Sequence, residues 1–276
     1  MVKCHAMICL NIAKKYGLQL PTLERYVKEP DVVLKELSDY YLGASPSACK
    51  MLVNSVLNRG TTGGWVAKQE QEDLQKATGM LPQEAKRRIK FGGVADTAVI
   101  NMMFDFKMGK QIMDKVKQEG NHPVILGLDQ NIGKLHKYMK LDFPDVFQDA
   151  INTIESDAKL RSEYPTKEKM RNKAFSDCLF EVEKRLLHAI VRSLIDQGFR
   201  VDALIHDGCH VRKIEGMESI PEEVINKVVA DVKEETKFDI KLKVKEMEEP
   251  PIPKMKKRIK VHDDYVENYG RQQIVL

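Results

Sequence analysis

The stretch Val201-Asp202-Ala203-Leu204-Ile205-His206-Asp207-Gly208-Cys209-His210-Val211-Arg212-Lys213 constrains this chain more than any other. Short apolar runs on either side predict two strands meeting at Asp207-Gly208, because Asp-Gly suits a two-residue hairpin turn with positive φ. Such a turn makes the strands antiparallel neighbours and puts a carboxylate at the hairpin tip, with His206 just before it. A carboxylate held there can ligate a hard cation such as Mg²⁺ through oxygen. An ordinary turn that uses Asp for its local hydrogen bonding fits the same residues.

The flanking chain supplies helices. Leu179, Val182, Leu186, Ile190 and Leu194 recur at helical spacing from Asp177 to Gln197, and Gly198 ends that run. After Lys213 the pattern predicts a helix from about Pro221 to Glu235, then a strand over Phe238 to Val244 by strict alternation. Helix, hairpin, helix, strand is the order of an α+β layer, an antiparallel sheet with helices on one face. Residues 248–253, nearly all Glu and Pro, read as a linker, and a basic tail follows to Leu276 with no recognisable end.

The amino-terminal half reads as helical. A short helix over residues 5–16 stops at Gly17, and one over Val32 to Leu42 stops at Gly43. Ser45-Pro46 is a capping residue followed by proline at the first helical position, and Gly60 follows the last periodic residue. Between them Cys49, Leu52, Val53 and Val56 form an apolar stripe, while Lys50, Asn54 and Asn58 form a polar one at intervals of four. A lysine flanked by amides can grip a triphosphate through charge-assisted hydrogen bonds; a solvated helix face has the same pattern. Gly63-Gly64 lacks the Gly-Lys-Ser/Thr ending of a P-loop and reads as a turn. Residues 69–117 read as mostly helical with a break at Gly92-Gly93. Beyond them a loop at Gly120 to Pro123, a short extended piece at Val124 to Leu126 and a helix over Phe143 to Ile154 carry no visible chemistry.

Composition narrows the classes. The 276 residues are 42% hydrophobic and 31% charged, and no apolar run reaches the ~20 residues that cross a bilayer. Five cysteines, odd in number and without paired metal-ligand spacing, suit a reducing compartment better than a disulfide framework. The first residues lack a small-residue cleavage site, so the expected location is intracellular, with no membrane. A net charge of +4 is modest, but basic residues cluster at 86–90, 167–173 and 254–260. Such clusters either contact phosphates or form solvated faces.

Together these pieces resemble the palm and fingers core of family A DNA polymerases. Ala203-Leu204-Ile205-His206-Asp207 looks like the hairpin that carries the second metal motif, and Ser45 to Gly60 looks like the fingers helix, with Lys50 at its triphosphate-binding lysine. Lys169 to Glu183 resembles the approach to the long palm helix. Val2-Lys3-Cys4-His5 is similar to the end of the first metal motif in a diverged branch found in virophages and related mobile elements. The aspartate of that motif would fall immediately before Met1. The resemblance divides the chain into a palm remnant (1–30), helical fingers with an insertion (31–165), a palm with the catalytic hairpin (166–246) and a linker with basic tail (247–276).

The resemblance implies nucleotidyl transfer to a primer 3′-hydroxyl, assisted by two Mg²⁺ ions, on primer-template DNA with deoxynucleoside triphosphates. It assigns catalysis to Asp207 and His206, the metal to Asp207, the nucleotide to Lys50, Asn54 and Asn58, and nucleic-acid binding to Arg59, Asn172 and Lys173. Asp263-Asp264-Tyr265 resembles the connector to a superfamily 3 helicase, which the resemblance implies as a fused or associated partner. Gly208 stands where most members have Glu, and Asn54 where a bulky residue is common. A single-subunit RNA polymerase or primase, and a non-catalytic nucleic-acid-binding palm remnant, are the alternatives. Zinc bound by His206, Cys209 and His210 is disfavoured, since strand alternation sends the last two to opposite faces.

Overall fold

A computed structural model describes residues 4–69, 104–205, 208–212, 214, 216–217, 219–246 and 271–275. The chain divides into two compact units, Met1–Asn11 with Phe180–Leu276, and Ile12–Leu179. Eleven helices are described: α1 Cys4–Lys15, α2 Pro21–Lys28, α3 Pro30–Tyr40, α4 Pro46–Leu57, α5 over residues 62–69, α6 Phe104–Glu119, α7 Pro123–Asp142, α8 Pro144–Ser156, α9 Ala158–Glu163, α10 Lys167–Asp196 and α11 Glu222–Thr236. Four strands accompany them: β1 Val201–Ile205, β2 Gly208–Arg212, β3 Lys243–Glu246 and β4 Arg271–Val275. The architecture is α+β, with one antiparallel sheet in the order β1-β2-β4-β3.

In the unit that holds the sheet, β2 has neighbours on both edges, and Cys209, His210 and Val211 are all buried in succession. Successive side chains leave opposite faces of a strand, so both faces of β2 are covered. Ser193 on α10 donates to the Asp231 carboxylate on α11 at 2.6 Å, and Val228 and Val232 on α11 are fully buried. Near the start of α1, His5 Nε2 lies 2.8 Å from Glu183 of α10. The Asn11 side chain both donates to the Asp239 carbonyl and accepts from its N–H, at 2.9 and 2.7 Å. The stretch 238–242 is not strand: alternation at Phe238 to Val244 predicts one, but pairing with β4 begins only at Lys243. The basic tail, in which no element is expected from sequence, contributes β4, which lies between β2 and β3. The linker at 248–253 lies outside the described residues.

The helical unit is built around α7. Val124, Ile125, Leu128, Ile132, Leu135 and Met139 form one buried face of that helix. Residues 124–126 are therefore helical rather than extended. His122 caps the helix by accepting from the Val124 N–H through Nδ1 at 3.3 Å, and Pro123 occupies the first turn. These two start signals outweigh the local β-branching of Val124 and Ile125. A Cβ on Gly127 would meet the Cβ and Cγ2 of Thr22 at 3.2 and 3.1 Å, so α2 approaches α7 closely at this glycine. The residues from 70 to 103, with the expected helix break at Gly92-Gly93, lie outside the described residues, as do the basic clusters at 86–90 and 254–260.

Candidate functional site

The hairpin forms as the apolar runs imply, with its turn displaced. Ile205 pairs with Gly208, so Gly208 is the first residue of β2 and the two residues between the strands are His206 and Asp207. Gly208, expected in the turn, belongs to β2 instead. His206 and Asp207 themselves lie outside the described residues. In β1 the register slips between Val201 and Ala203, making Asp202 the extra residue of a bulge. Its two carboxylate oxygens accept from Arg212 Nε and Nη2, each at 3.1 Å, and Arg200 Nε is 3.2 Å away. This bidentate pair ties the start of β1 to the end of β2. Burial pushes the Cys209 thiol up to about 11, so it is protonated near neutrality.

In the helical unit, α4 is capped as its sequence indicates: Ser45 Oγ accepts from the Ala48 N–H at 3.2 Å and Pro46 opens the helix. Its apolar stripe, Cys49, Leu52, Val53 and Val56, is buried, while Lys50 is half-buried and Asn54 exposed. Asn58 turns inward. Its amide nitrogen donates to the Asn54 carbonyl at 2.9 Å and its Oδ1 accepts from Ser176 on α10 at 3.0 Å. Of the polar stripe, Asn54 is the residue left exposed.

The carboxyl end of α4 departs from the expected glycine stop. Gly60 N–H donates to the Ser55 carbonyl at 2.7 Å and Arg59 N–H to that of Val56 at 2.9 Å, the paired bonds of a Schellman ending. The left-handed residue is Arg59, with φ 61°, where glycine is usual. A Cβ on Gly60 would sit 2.9 Å from the Ser55 carbonyl oxygen, so glycine there provides room. The Arg59 guanidinium donates to Asn172 Oδ1 at 3.3 Å and to Asp129 Oδ1 at 2.6 Å, tying α4 to α10 and α7. Arg59 and Asn172, expected to share nucleic acid, are thus bonded to each other. Lys173 is paired with Asp177 one turn along α10.

A second feature falls where the sequence shows no chemistry. A cavity of about 670 Å³ in the helical unit is lined by Lys134, His136, Lys137, Lys140 and Arg171, with Tyr138 and Phe147 among its walls. The three lysines lie on the side of α7 opposite its buried face, as the 3.6-residue period requires. His136 stacks on Phe175 with centroids 5.6 Å apart and planes at 16°, and its Nε2 lies 3.1 Å from the Arg171 carbonyl. Burial holds the His136 imidazole below its ordinary value; Arg59, Arg171 and Lys140 push the same way, against the Arg171 carbonyl bond. The sequence signal was available as Lys134, Lys137 and Lys140 on one side of an amphipathic helix. The β-branched Val124 and Ile125 at the start of that helix mask its period.

The fold and these features define a mixed α+β protein with a two-residue β-hairpin in one unit and a capped, lysine-bearing helix in the other. No helix among the described residues is long and apolar enough to cross a membrane. Among the described residues no group of three or more His, Cys, Asp or Glu side chains is gathered as a cation's ligand set. Comparison with protein-family models, with curated proteins and with solved structures returns no match.

Proposed function

We propose that this chain is a template-directed DNA polymerase core of the family A type, joining a deoxynucleotide to a primer 3′-hydroxyl. The register of the hairpin carries the reading: Ile205 pairs with Gly208, leaving only His206 and Asp207 to connect two strands that follow a thirty-residue helix. A short connection between paired strands is a rigid element from which a catalytic carboxylate can be presented.

The donor chemistry of Asp207 fits a Mg²⁺ ligand. Asp207 offers carboxylate oxygen, which hard cations take, whereas Asp202 is committed to Arg212 and Arg200 and Cys209 is a buried thiol. When bound there, magnesium supplies charge stabilisation to the entering and leaving oxygens. The remaining work falls to the helix α4. Lys50 neutralises the triphosphate as the primer oxygen bonds to the α-phosphorus and pyrophosphate departs. Asn54 is exposed one turn further on, which leaves its amide open to a nucleotide, while Asn58 bonds to Ser176.

Primer extension tests this, comparing the chain as it stands with a version carrying an aspartate immediately upstream, where the resemblance places the second carboxylate. The extended version should incorporate deoxynucleotides in a Mg²⁺-dependent manner. Asp207→Ala should lower its rate by about 10²–10³-fold, the equivalent of roughly 3–4 kcal/mol of transition-state stabilisation. Lys50→Ala should chiefly raise the KM for nucleotide. No incorporation by the extended version, or no decrease with Asp207→Ala, sinks the reading. Preference for ribonucleotides would favour the RNA polymerase or primase alternative.

A further inference from the structure

We propose that the cavity between α7, α8 and the first turns of α10 is a separate anion site that takes the phosphodiester backbone of a single nucleic-acid strand. Lys134, Lys137, Lys140 and Arg171 converge on it, and none of the four has a carboxylate partner among the described residues. Neighbouring cations of the same unit are differently placed: Lys15 pairs with Asp142, Arg59 with Asp129 and Lys173 with Asp177. The positive charges that line the cavity thus have no ion-pair partner among the described residues. Every charged group that acts appreciably on His136 is positive.

The walls fix this arrangement. Phe147 is buried, and Lys140 Nζ lies 5.8 Å from its ring centroid; Lys137 Nζ lies 4.6 Å from the centroid of Tyr138. The stacked His136 and its contact with the Arg171 carbonyl anchor the start of α10 beside α7. Lys134 to Lys140 spans six residues of helix, about 9 Å of rise, which exceeds a single phosphate group and suits successive phosphates of a strand. Tyr138, half-buried and backed by the Tyr16 ring at 4.4 Å, offers an aromatic surface for a base.

This site goes beyond nucleotidyl transfer and rests on that reading only for the class of polyanion. Anisotropy of a labelled single-stranded oligonucleotide tests it, titrated with the full chain without Mg²⁺ at several salt concentrations. Lys137→Glu/Lys140→Glu should weaken binding at least tenfold and flatten the log–log salt slope by about 0.7 for each phosphate that is no longer neutralised. The control Lys35→Glu/Lys159→Glu reverses the same number of exposed charges away from the cavity and should change affinity less than about threefold, since distant surface charges act only through a screened field. All four positions are exposed, and an unchanged thermal midpoint verifies each fold. Equal weakening in cavity and control variants, or none in either, overturns the site. So does displacement of the strand by an acidic peptide or inorganic triphosphate at matching charge concentration. Weakened binding in the cavity variant without incorporation by any version keeps this site and fails the polymerase; incorporation with unaltered strand binding does the reverse.

Discussion

Arg59 occupies a backbone conformation that most side chains avoid. At φ 61° its Cβ crowds the following carbonyl, a cost of about 1–2 kcal/mol that glycine would escape. The residue persists there because its guanidinium joins Asn172 and Asp129, two side chains on different helices. Arg59→Ala keeps the strain and removes both links, and should destabilise the protein by about 1–2 kcal/mol in urea denaturation. Arg59→Gly removes the same links but also the strain, so it should recover about 1 kcal/mol relative to alanine. Equal stability of the two variants would show that the left-handed residue carries no strain. A glycine at position 60 made the helix stop legible in the sequence; which residue turns left-handed depended on partners 70 and 113 positions away.

At the scale of elements, α7 organises the helical unit partly through one buried polar side chain. Asn131 is 4% exposed, and its Oδ1 accepts from the Leu23 N–H at 3.2 Å. Leu23 lies in the first turn of α2, whose N-cap residue Leu20 makes no side-chain cap. One of the unsatisfied donors of this helix start is thus met from another helix. Asn131→Leu keeps the branched shape but leaves that buried N–H without an acceptor, and should cost about 1–3 kcal/mol in chemical denaturation. An unchanged unfolding midpoint would remove this role. Nothing in the local sequence around Asn131 points to its partner, which lies 108 positions away. The sheet shows the same limit. Alternation and a two-residue spacing made β1 and β2 legible, whereas Arg271-Gln272-Gln273-Ile274-Val275 has too little alternation to stand out and becomes a strand by pairing with two others.

Across the whole molecule, two histidines couple stability to pH in one direction. Burial chiefly lowers both His122 and His136 from the ordinary value of 6.5. The unfolded chain therefore takes up protons first as pH falls, and the folded state loses ground between the ordinary value and the lower folded values. Their contribution is complete above about pH 6.5 and is lost as pH drops through the folded range. Protonation of His122 also places a hydrogen on Nδ1, which then cannot accept from Val124. Thermal midpoints should fall from pH 7.5 to pH 5, and His136→Gln should flatten that dependence. The lowered carboxylates Glu36 and Asp231 act below this window, since their unfolded values lie near 4.5 and 3.8. A midpoint constant over this range would contradict the coupling.

The sequence by itself determined the elements whose signals are local: the capped start of α4, the long apolar stripe of α10 with Gly198 at its end, the paired runs of the hairpin, and α11. Helical and strand periodicity, capping residues and turn chemistry all act within a few residues, so they can be read without a partner. Tertiary structure alone decided that β4 lies between β2 and β3, that Arg59 rather than Gly60 turns left-handed, that Asn58 faces Ser176, and that four cations share one cavity. Each of those depends on groups far apart in the chain, and their pairing is set by packing and desolvation, which local patterning does not encode.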